Sequence, residues 1–487
     1  MAVLKLSTPG VYVQEISTLP PSVAEVETAI PAFIGHTEKA DQSAAGDLIM
    51  VPNKISSFSD FEYFYGGPPT EADNSITINV KDHGSNVYDV TFGYTDANRS
   101  RYNLYYSVKH FYANGGGTCY IVAVKTYASA GGNVSASDLT DALDLIKDVD
   151  EVTLLSIPEA ANIDKTDGGT AYAGVVNAMI QQASDLKDRF ALIDPYKVTP
   201  KDSVDPNGDI DADVLIIRNA SLTVTENRYA AAYYPNIITN YEHKYDFDNL
   251  TVDNYTADPG VTDQALGGVA MNDAKIGAGS ILYTKIKTEL SKQYVTLPPS
   301  PAMAGIYTRV DNTKGVWKAP ANESVLDIYA PSVAVSNREQ ETLNVDSSFG
   351  KSINVIRSFP GYGTLVWGAR TLNGNDNEWR YISVRRFFNM VEESVKKSSQ
   401  WAVFEPNTVT TWVKIQAMIE NYLFLKWRDG ALAGTKPEQA YYVKVGLGST
   451  MTSLDILEGR LNVEIGMAVA RPAEFIVLKF SQIMQQS

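Results

Sequence analysis

Apolar segments of strand length alternate with helical segments in the middle of the chain, and this alternation restricts the possible folds more than any other feature of the sequence. Residues 152–157 and 190–194 are short apolar runs that each end before a proline, which is typical of buried strands. Between them, residues 172–187 carry apolar side chains at helical spacing. Strand, helix and strand in this order predict a right-handed crossover that joins two parallel strands.

Other regular elements are predicted on both sides of this α/β region. Alternating side chains at 75–80 and 87–92 indicate two strands of a β-rich insertion, and a helix at about 103–112 precedes a strand at 119–124. The acidic stretches 200–213 and 246–263 are expected to be connectors, and the second is expected to loop out to the surface.

The C-terminal third is the most regular part of the sequence. Amphipathic helices are predicted at 384–397 and 408–428, and Asn407, which follows Pro406, is the expected N-cap of the second helix. Residues 461–469 alternate strictly between apolar and polar side chains, which indicates a strand with one buried face.

Both ends of the chain carry apolar segments without a partner nearby in the sequence. Residues 8–20 begin at Pro9-Gly10 and run to Pro20-Pro21, which predicts a short extended arm, and residues 474–480 are apolar on both faces of a predicted strand. Unpaired strand edges promote aggregation in a monomer, so we expect them to be joints between copies of the chain. The residues assigned to these inter-subunit arms are Val11, Tyr12, Val13, Ile16, Phe475, Ile476, Val477 and Leu478.

Composition disfavours several classes of partner. The chain has 487 residues, 41 basic and 57 acidic, and its net charge of −16 would repel nucleic acid phosphates. No apolar run is long enough for a membrane span, and the apolar run at the N-terminus is too short for a signal peptide. The single cysteine, Cys119, cannot form a disulfide within the chain, which fits synthesis in a reducing cytoplasm.

The sequence carries no recognised reaction centre. His-Glu-x-x-His, Gly-x-Ser-x-Gly, Walker-type and Cys-x-x-Cys motifs are missing, and the four histidines are scattered. The acidic residues between Asp202 and Asp213 do not have the spacing of a calcium loop, and the glycines at 115–117 precede a strand, where a phosphate-binding turn would open a helix. We therefore expect no catalytic residue, no cofactor and no metal.

Several stretches of the sequence are shared, in order, with one family. They are Thr8–Ser17, Pro20–Val23, Thr28–Gly35, Leu297–Tyr307, Asp311–Asn322, Gly350–Arg357, Val366–Leu372 and Trp379–Arg386. Through them the chain resembles the contractile tail sheath proteins of phages, pyocin-like particles and extracellular contractile injection systems. The block Asp311–Asn322 is the most distinctive, whereas residues 70–100 and 200–265 match weakly, as variable insertions would.

The resemblance implies a multidomain α+β or α/β fold with a discontinuous core domain, inserted domains that face outwards and extended terminal β-arms. The implied domains are an N-terminal arm at 1–20, a sheath core at 21–65 plus 340–460, a β-rich insertion at 66–110, an α/β middle domain at 111–339 with variable loops at 200–265, and C-terminal strands and an arm at 461–487.

The resemblance also implies a mechanism. Copies would stack in six-fold rings around an inner tube, exchange strands with their neighbours, and contract from a metastable extended state to drive the tube through a target envelope. Baseplate and terminal cap proteins are the other implied partners, and the subunit would be made in the bacterial cytoplasm before it joins a phage tail or a released particle. The exposed candidates for tube contact on the two C-terminal helices are Lys396, Lys397, Lys414 and Glu420.

Two other functions remain open at this point. Acidic residues are plentiful enough for a particle-associated glycan hydrolase with paired carboxylates. A non-contractile tube or coat component would share the general composition. The sequence does not separate a phage from a bacteriocin or an injection system, and it assigns no role to the insertions at 66–110 and 200–265.

Overall fold

The computed structural model describes residues 22–95, 98–199, 209–220 and 226–479. Its strands are β1 (Pro31–Thr37), β2 (Asn53–Ile55), β3 (Thr70–Glu71), β4 (Ile76–Asp82), β5 (Tyr88–Tyr94), β6 (Cys119–Thr126), β7 (Leu154–Ser156), β8 (Phe190–Ile193), β9 (Ala230–Tyr234), β10 (Ile237–Glu242), β11 (Lys244–Tyr245), β12 (Thr251–Ala257), β13 (Val269–Ala270), β14 (Tyr294–Leu297), β15 (Ile328–Pro331), β16 (Ile353–Phe359), β17 (Gly363–Val366), β18 (Tyr441–Val445) and β19 (Val463–Met467).

The helices alternate with these strands through most of the chain. They are α1 (Phe58–Tyr65), α2 (Leu104–Ala113), α3 (Tyr127–Ala130), α4 (Ala136–Leu145), α5 (Thr170–Leu186), α6 (Ile210–Ala220), α7 (Ile281–Leu290), α8 (Ser300–Lys314), α9 (Asn337–Asn344), α10 (Ile382–Ser398), α11 (Val409–Arg428), α12 (Pro437–Ala440) and α13 (Ser453–Leu457). The chain separates into a larger unit, Glu27–Met390 with Arg471–Ser487, and a smaller unit, Met1–Val26 with Val391–Ala470.

An eight-stranded sheet forms the centre of the larger unit, in the order β17-β16-β9-β8-β7-β1-β6-β2. The strands from β16 to β6 run parallel, and the two edge strands, β17 and β2, are antiparallel to their neighbours. The predicted parallel pair is confirmed, because Leu154 of β7 is aligned with Phe190 of β8. Such a sheet is buried on both faces, which explains why its inner strands β1, β7, β8 and β9 are buried at every position.

Helices cover both faces of this sheet. Neighbouring residues of β1 point to opposite sides, so that Ala32 and Ile34 pack in a cluster with α4, α5 and α6, whereas Phe33 packs in a second cluster with α1, α2 and α8. On the second side, α2 and α8 approach very closely at Gly305. A Cβ atom at this position would lie 2.5 Å from the carbonyl oxygen of Phe111, so the contact requires a glycine.

The β-rich part of the larger unit is assembled from distant stretches of sequence. The strands β13, β12, β4 and β5 form one sheet, in which β12 runs parallel to β4, and α7 shares their apolar cluster. The prediction of a surface connector at 246–263 is therefore wrong, since β12 occupies its middle. The connector predicted at 200–213 is wrong at its end, since α6 begins at Ile210. The error at 246–263 has a physical cause: most side chains of β12 are exposed, and Val252 is the one buried between Thr251 and Tyr255. The strand is held by its partner in sequence-distant β4 and not by a local apolar pattern.

The predicted C-terminal helices are confirmed as α10 and α11, with one correction nearby. Thr408, and not Asn407, is the N-cap of α11. The Asn407 side chain instead accepts a hydrogen bond from Trp412 Nε1 at 2.6 Å and donates one to the Arg460 carbonyl at 3.0 Å. Residues 471–479 carry no helix or strand in the single chain, so the strand predicted at 474–480, whose partner is expected in another copy, remains a prediction.

The described units divide the chain differently from the boundaries implied by the resemblance. Strands β1 and β2, from the stretch 21–65, lie in the same sheet as β6 to β9, from the stretch 111–339. The β-rich stretch 66–110 shares a sheet with β12 and β13. The implied division into a core domain and inserted domains remains a prediction about the assembled sheath.

Candidate assembly interface

The strands β18 and β19 form a two-stranded antiparallel sheet in the smaller unit. Tyr441 is aligned with Met467, and Val445 is aligned with Val463. Among the described residues no third strand joins this sheet, so both outer edges carry backbone groups without a strand partner. An isolated pair of strands is marginal in water, and its open edges are ready to accept another strand.

One face of this two-stranded sheet is packed and the other is polar. Val443 is buried on the face towards α11, whose buried apolar and aromatic side chains are Trp412, Ile415, Met418, Ile419, Tyr422 and Leu423. On this face Val463, Ile465 and Met467 of β19 are only half-buried. On the outer face the ring of Tyr442 lies directly over Gly466, where a larger side chain would collide with it. The half-buried apolar row of β19 thus has room for further cover.

The C-terminal segment that follows is exposed in the described chain. Phe475, Ile476, Val477 and Leu478 are 71–80% exposed, although all four are large apolar residues. Exposed apolar runs of this kind are typical of interaction sites. The preceding residue, Glu474, forms an ion pair with buried Arg370 in the larger unit.

The N-terminal arm residues Val11, Tyr12, Val13 and Ile16 lie outside the described residues. The chain that follows them is held in the smaller unit by side chains of two helices. The backbone N–H groups of Ala24 and Val26 donate to Ser398 and Ser394 of α10, each at 3.1 Å. Glu25 forms an ion pair with Lys426 of α11. These contacts fix the backbone at residues 24–26.

The four candidates for tube contact differ in their surroundings. Lys396 and Lys397 both pair with Glu393, at 3.1 and 3.4 Å, in the last turn of α10. On α11, Lys414 is exposed, whereas Glu420 is half-buried and accepts a hydrogen bond from Gln416 at 2.8 Å. Of the two candidates on α11, Lys414 is thus more accessible than Glu420.

Sequence reasoning missed an exposed apolar surface on α11 and on the loop before it. Val409, Val413, Phe424 and Leu425 are exposed on the helix, and Phe404 in the loop is fully exposed with φ at +68°. A bulky residue at positive φ is strained, and such outliers cluster at functional positions. In the sequence, the signal for this surface was that Val409 and Val413 lie four residues apart on the helix, beside the buried apolar stripe that contains Trp412.

The histidines are engaged in structural contacts. His36 and Glu159 form a buried pair at 2.6 Å, and burial lowers the pKa of His110. His243 receives a hydrogen bond from the Arg99 guanidinium at Nε2, so its proton lies on Nδ1 and is donated to Glu71 at 2.9 Å. Burial acts to raise the pKa of Glu71, but this bond and others outweigh it and lower the pKa.

Metal-binding clusters and membrane-spanning helices are both missing from the part of the chain that the structure describes. Among those residues no group of three or more His, Cys, Asp or Glu side chains is arranged to hold a metal ion. No helix there has the length and apolar character needed to cross a membrane.

Comparisons with known proteins agree with this picture of an assembly protein. A family model described as "Phage tail sheath C-terminal domain" matches residues 374–483. The chain is similar to a chain in the cryo-EM structure of the anti-feeding prophage (AFP) helical sheath in contracted state, with 30% identity, coverage of 98% and 99% of the two chains, and a TM-score of 0.63. A chain in the cryo-EM structure of the six-fold symmetrised AFP baseplate is also 30% identical, with coverage of 98% of this chain and 100% of that chain and a TM-score of 0.61.

Two further relatives extend the comparison. The PVC sheath complex of an extracellular contractile injection system, also in contracted state, is 29% identical over 98% of both chains with a TM-score of 0.62. The "Tail sheath protein" of Enterobacteria phage T4 is 26% identical over 130 residues, which is 26% of this chain. The match spans only 19% of the T4 protein's length.

Proposed function

The chain belongs to the contractile tail sheath family, and from that premise we propose how its surfaces assemble and move. It is a structural subunit of a contractile sheath. Copies stack in six-fold rings around an inner tube, and the sheath shortens to drive that tube through a target envelope. The observation that carries the proposal is an open two-stranded sheet, β18–β19, together with a C-terminal apolar segment, Phe475–Leu478, that has no strand partner among the described residues.

Strand addition between copies satisfies both features at once. The arm residues Phe475–Leu478 of one copy, and Val11–Ile16 of another, add to the outer edges of β18–β19 in a third. Each added strand pairs open backbone groups at its own edge, and the strand on the outer edge of β19 lies beside the half-buried row Val463, Ile465 and Met467. Strand addition between copies thereby accounts for both the exposed C-terminal segment and the open edges of β18–β19.

Joints of this kind suit a sheath that changes length. Backbone hydrogen bonds between copies persist while the subunits rotate as rigid bodies, so rings stay connected during contraction. The extended sheath is held by a kinetic barrier above a better-packed contracted sheath. The free energy comes from new contacts between subunits, and no nucleotide takes part.

The surface of α11 is our candidate for contact with the inner tube. Lys414 supplies an exposed charge, and Val413 and Phe424 supply exposed apolar area on the same helix. Lys396 and Lys397 at the end of α10, together with Glu420, complete the proposed contact. The remaining proposed partners are baseplate and terminal cap proteins, and synthesis takes place in the bacterial cytoplasm before assembly into the particle.

Removal of residues 1–19 tests the proposal. The truncated chain is expected to remain folded and soluble, with the circular dichroism spectrum of the full chain, and to form no ridged cylinders in electron micrographs. The full chain in the same buffer is the control. Normal, contractile cylinders from the truncated chain would show that the N-terminal arm has been assigned the wrong role.

A further inference from the structure

Glu474 lies at the root of the exposed C-terminal arm and attaches it to the larger unit. Its carboxylate accepts hydrogen bonds from Arg370 Nε at 2.9 Å and from Nη2 at 2.5 Å. Arg370 is only 3% exposed, whereas Phe475, the residue after Glu474, is 73% exposed. The chain therefore passes from a partly buried ion pair to an exposed apolar segment within one residue.

The guanidinium of Arg370 is held in place before it meets Glu474. The Arg370 N–H donates to Asn354 Oδ1, and Asn354 Nδ2 donates to the Arg370 carbonyl, both at 2.8 Å. Asn354 is buried in β16 of the main sheet. Arg370 Nη1 also donates to the carbonyl of Asn344 at 3.1 Å. The planar guanidinium consequently presents a fixed fork, which matches both oxygens of one carboxylate.

We propose that Arg370 and Glu474 are positioning residues for sheath assembly, because their ion pair fixes the point and direction in which the C-terminal arm leaves its subunit. This inference rests on the proposed strand addition. A segment anchored immediately before its first apolar side chain has fewer conformations to lose when it binds a neighbour. The pair thus lowers the entropic cost of strand addition without itself touching the neighbouring copy.

The variant Glu474→Gln tests this role, since it keeps the shape of the side chain and removes its charge. We expect the protein concentration at which cylinders appear in electron micrographs to rise about tenfold, the equivalent of about 1.4 kcal/mol per joint. The matched control is Glu289→Gln, which removes a surface carboxylate paired with Lys285 and Lys292. The control is expected to assemble at the concentration of the unaltered chain.

A destabilised variant with an intact arm root separates positioning from stability. Gly305→Ala disturbs the contact of α2 with α8 and leaves Arg370 and Glu474 unchanged. The unfolding midpoint temperature of each variant is measured beside its assembly. For the same loss of midpoint temperature, Glu474→Gln is expected to need a higher protein concentration than Gly305→Ala to form cylinders. The proposal is overturned if Glu474→Gln assembles like the unaltered chain, or if its defect is no larger than that of Gly305→Ala.

Deletion of residues 475–487 distinguishes failure of this inference from failure of the proposed function. If the deletion blocks cylinder formation while Glu474→Gln assembles normally, the arm is needed but its anchor is not. If the deletion variant itself assembles and contracts normally, strand addition by the C-terminal arm is wrong, and the role of the anchor falls with it.

Discussion

Arg386 forms a two-pronged ion pair with Asp311, 75 residues earlier in the chain, with nitrogen–oxygen distances of 3.0 and 2.6 Å. Both side chains are almost fully buried, and Arg386 Nη2 also donates to the carbonyl of Thr28 at 2.7 Å. Two separated stretches of the larger unit therefore meet at the first turns of α10. Asp311 opens the sequence block that is most distinctive of the family.

Replacement of Asp311 by alanine is expected to destabilise the larger unit by about 3–5 kcal/mol, because it leaves the buried Arg386 guanidinium without a carboxylate. Chemical denaturation followed by circular dichroism measures the change. Asp144→Ala removes an exposed ion pair with Lys147 and should cost less than about 1 kcal/mol. Equal losses in the two variants would mean that the Arg386 pair is not a buried anchor.

Gly305 and Gly174 are expected to respond to alanine with opposite sign. In Gly305→Ala the new methyl group collides with the Phe111 carbonyl, and we expect a loss of about 1–3 kcal/mol. Gly174 lies within α5 with open space around its Cβ position, so Gly174→Ala should add about 0.5–1 kcal/mol through helix propensity. Thermal unfolding of both variants checks the pair of signs, and a tolerated Gly305→Ala would contradict the close approach of α2 and α8.

Asp194 should make stability depend on pH. Burial raises the pKa of this carboxyl from 3.8 to about 7, although it accepts bonds from the N–H and O–H of Ser300 at 2.7 and 2.5 Å. The folded state therefore binds more protons than the unfolded state between these two values. Stability should fall as pH rises from about 4 to about 7, by at most about 1.4 kcal/mol per pH unit, and this contribution should be constant above pH 7.

The variant Asp194→Asn isolates this contribution, because the amide does not titrate. Denaturation at pH 4.5, 6 and 8 should give a smaller change with pH for the variant than for the unaltered chain. The same slope in both proteins would assign the pH dependence to other groups.

Local patterns in the sequence predicted the elements that are stabilised locally. The helices α5 and α11 have continuous apolar stripes, and the parallel pairing of β7 with β8 follows from the strands that flank α5. In contrast, β12 is defined by its pairing with β4, which is distant in sequence, and its exposed side chains carry no strand signal. A single sequence does not show such a partner, so the stretch was predicted as a loop.

The candidate interface was predictable to a similar extent. The apolar run Phe475–Leu478 was found because it has no partner in the sequence, and the structure describes it as exposed. The ion pair of Arg370 with Glu474 was not predicted, because the two residues lie 104 positions apart and no regular spacing of charges in the sequence connects them. The exposed face of α11 was also missed, because Val413 and Phe424 look like core residues until the helix is packed.

A cryo-EM map of sheaths assembled from this chain, at a resolution that traces both chain ends, is the most direct test of strand addition. We predict that Phe475–Leu478 and Val11–Ile16 each run as a strand along an outer edge of β18–β19 in a neighbouring copy. A map in which both ends fold back and pair wholly within their own subunit, with β18–β19 left as two strands, would contradict the account.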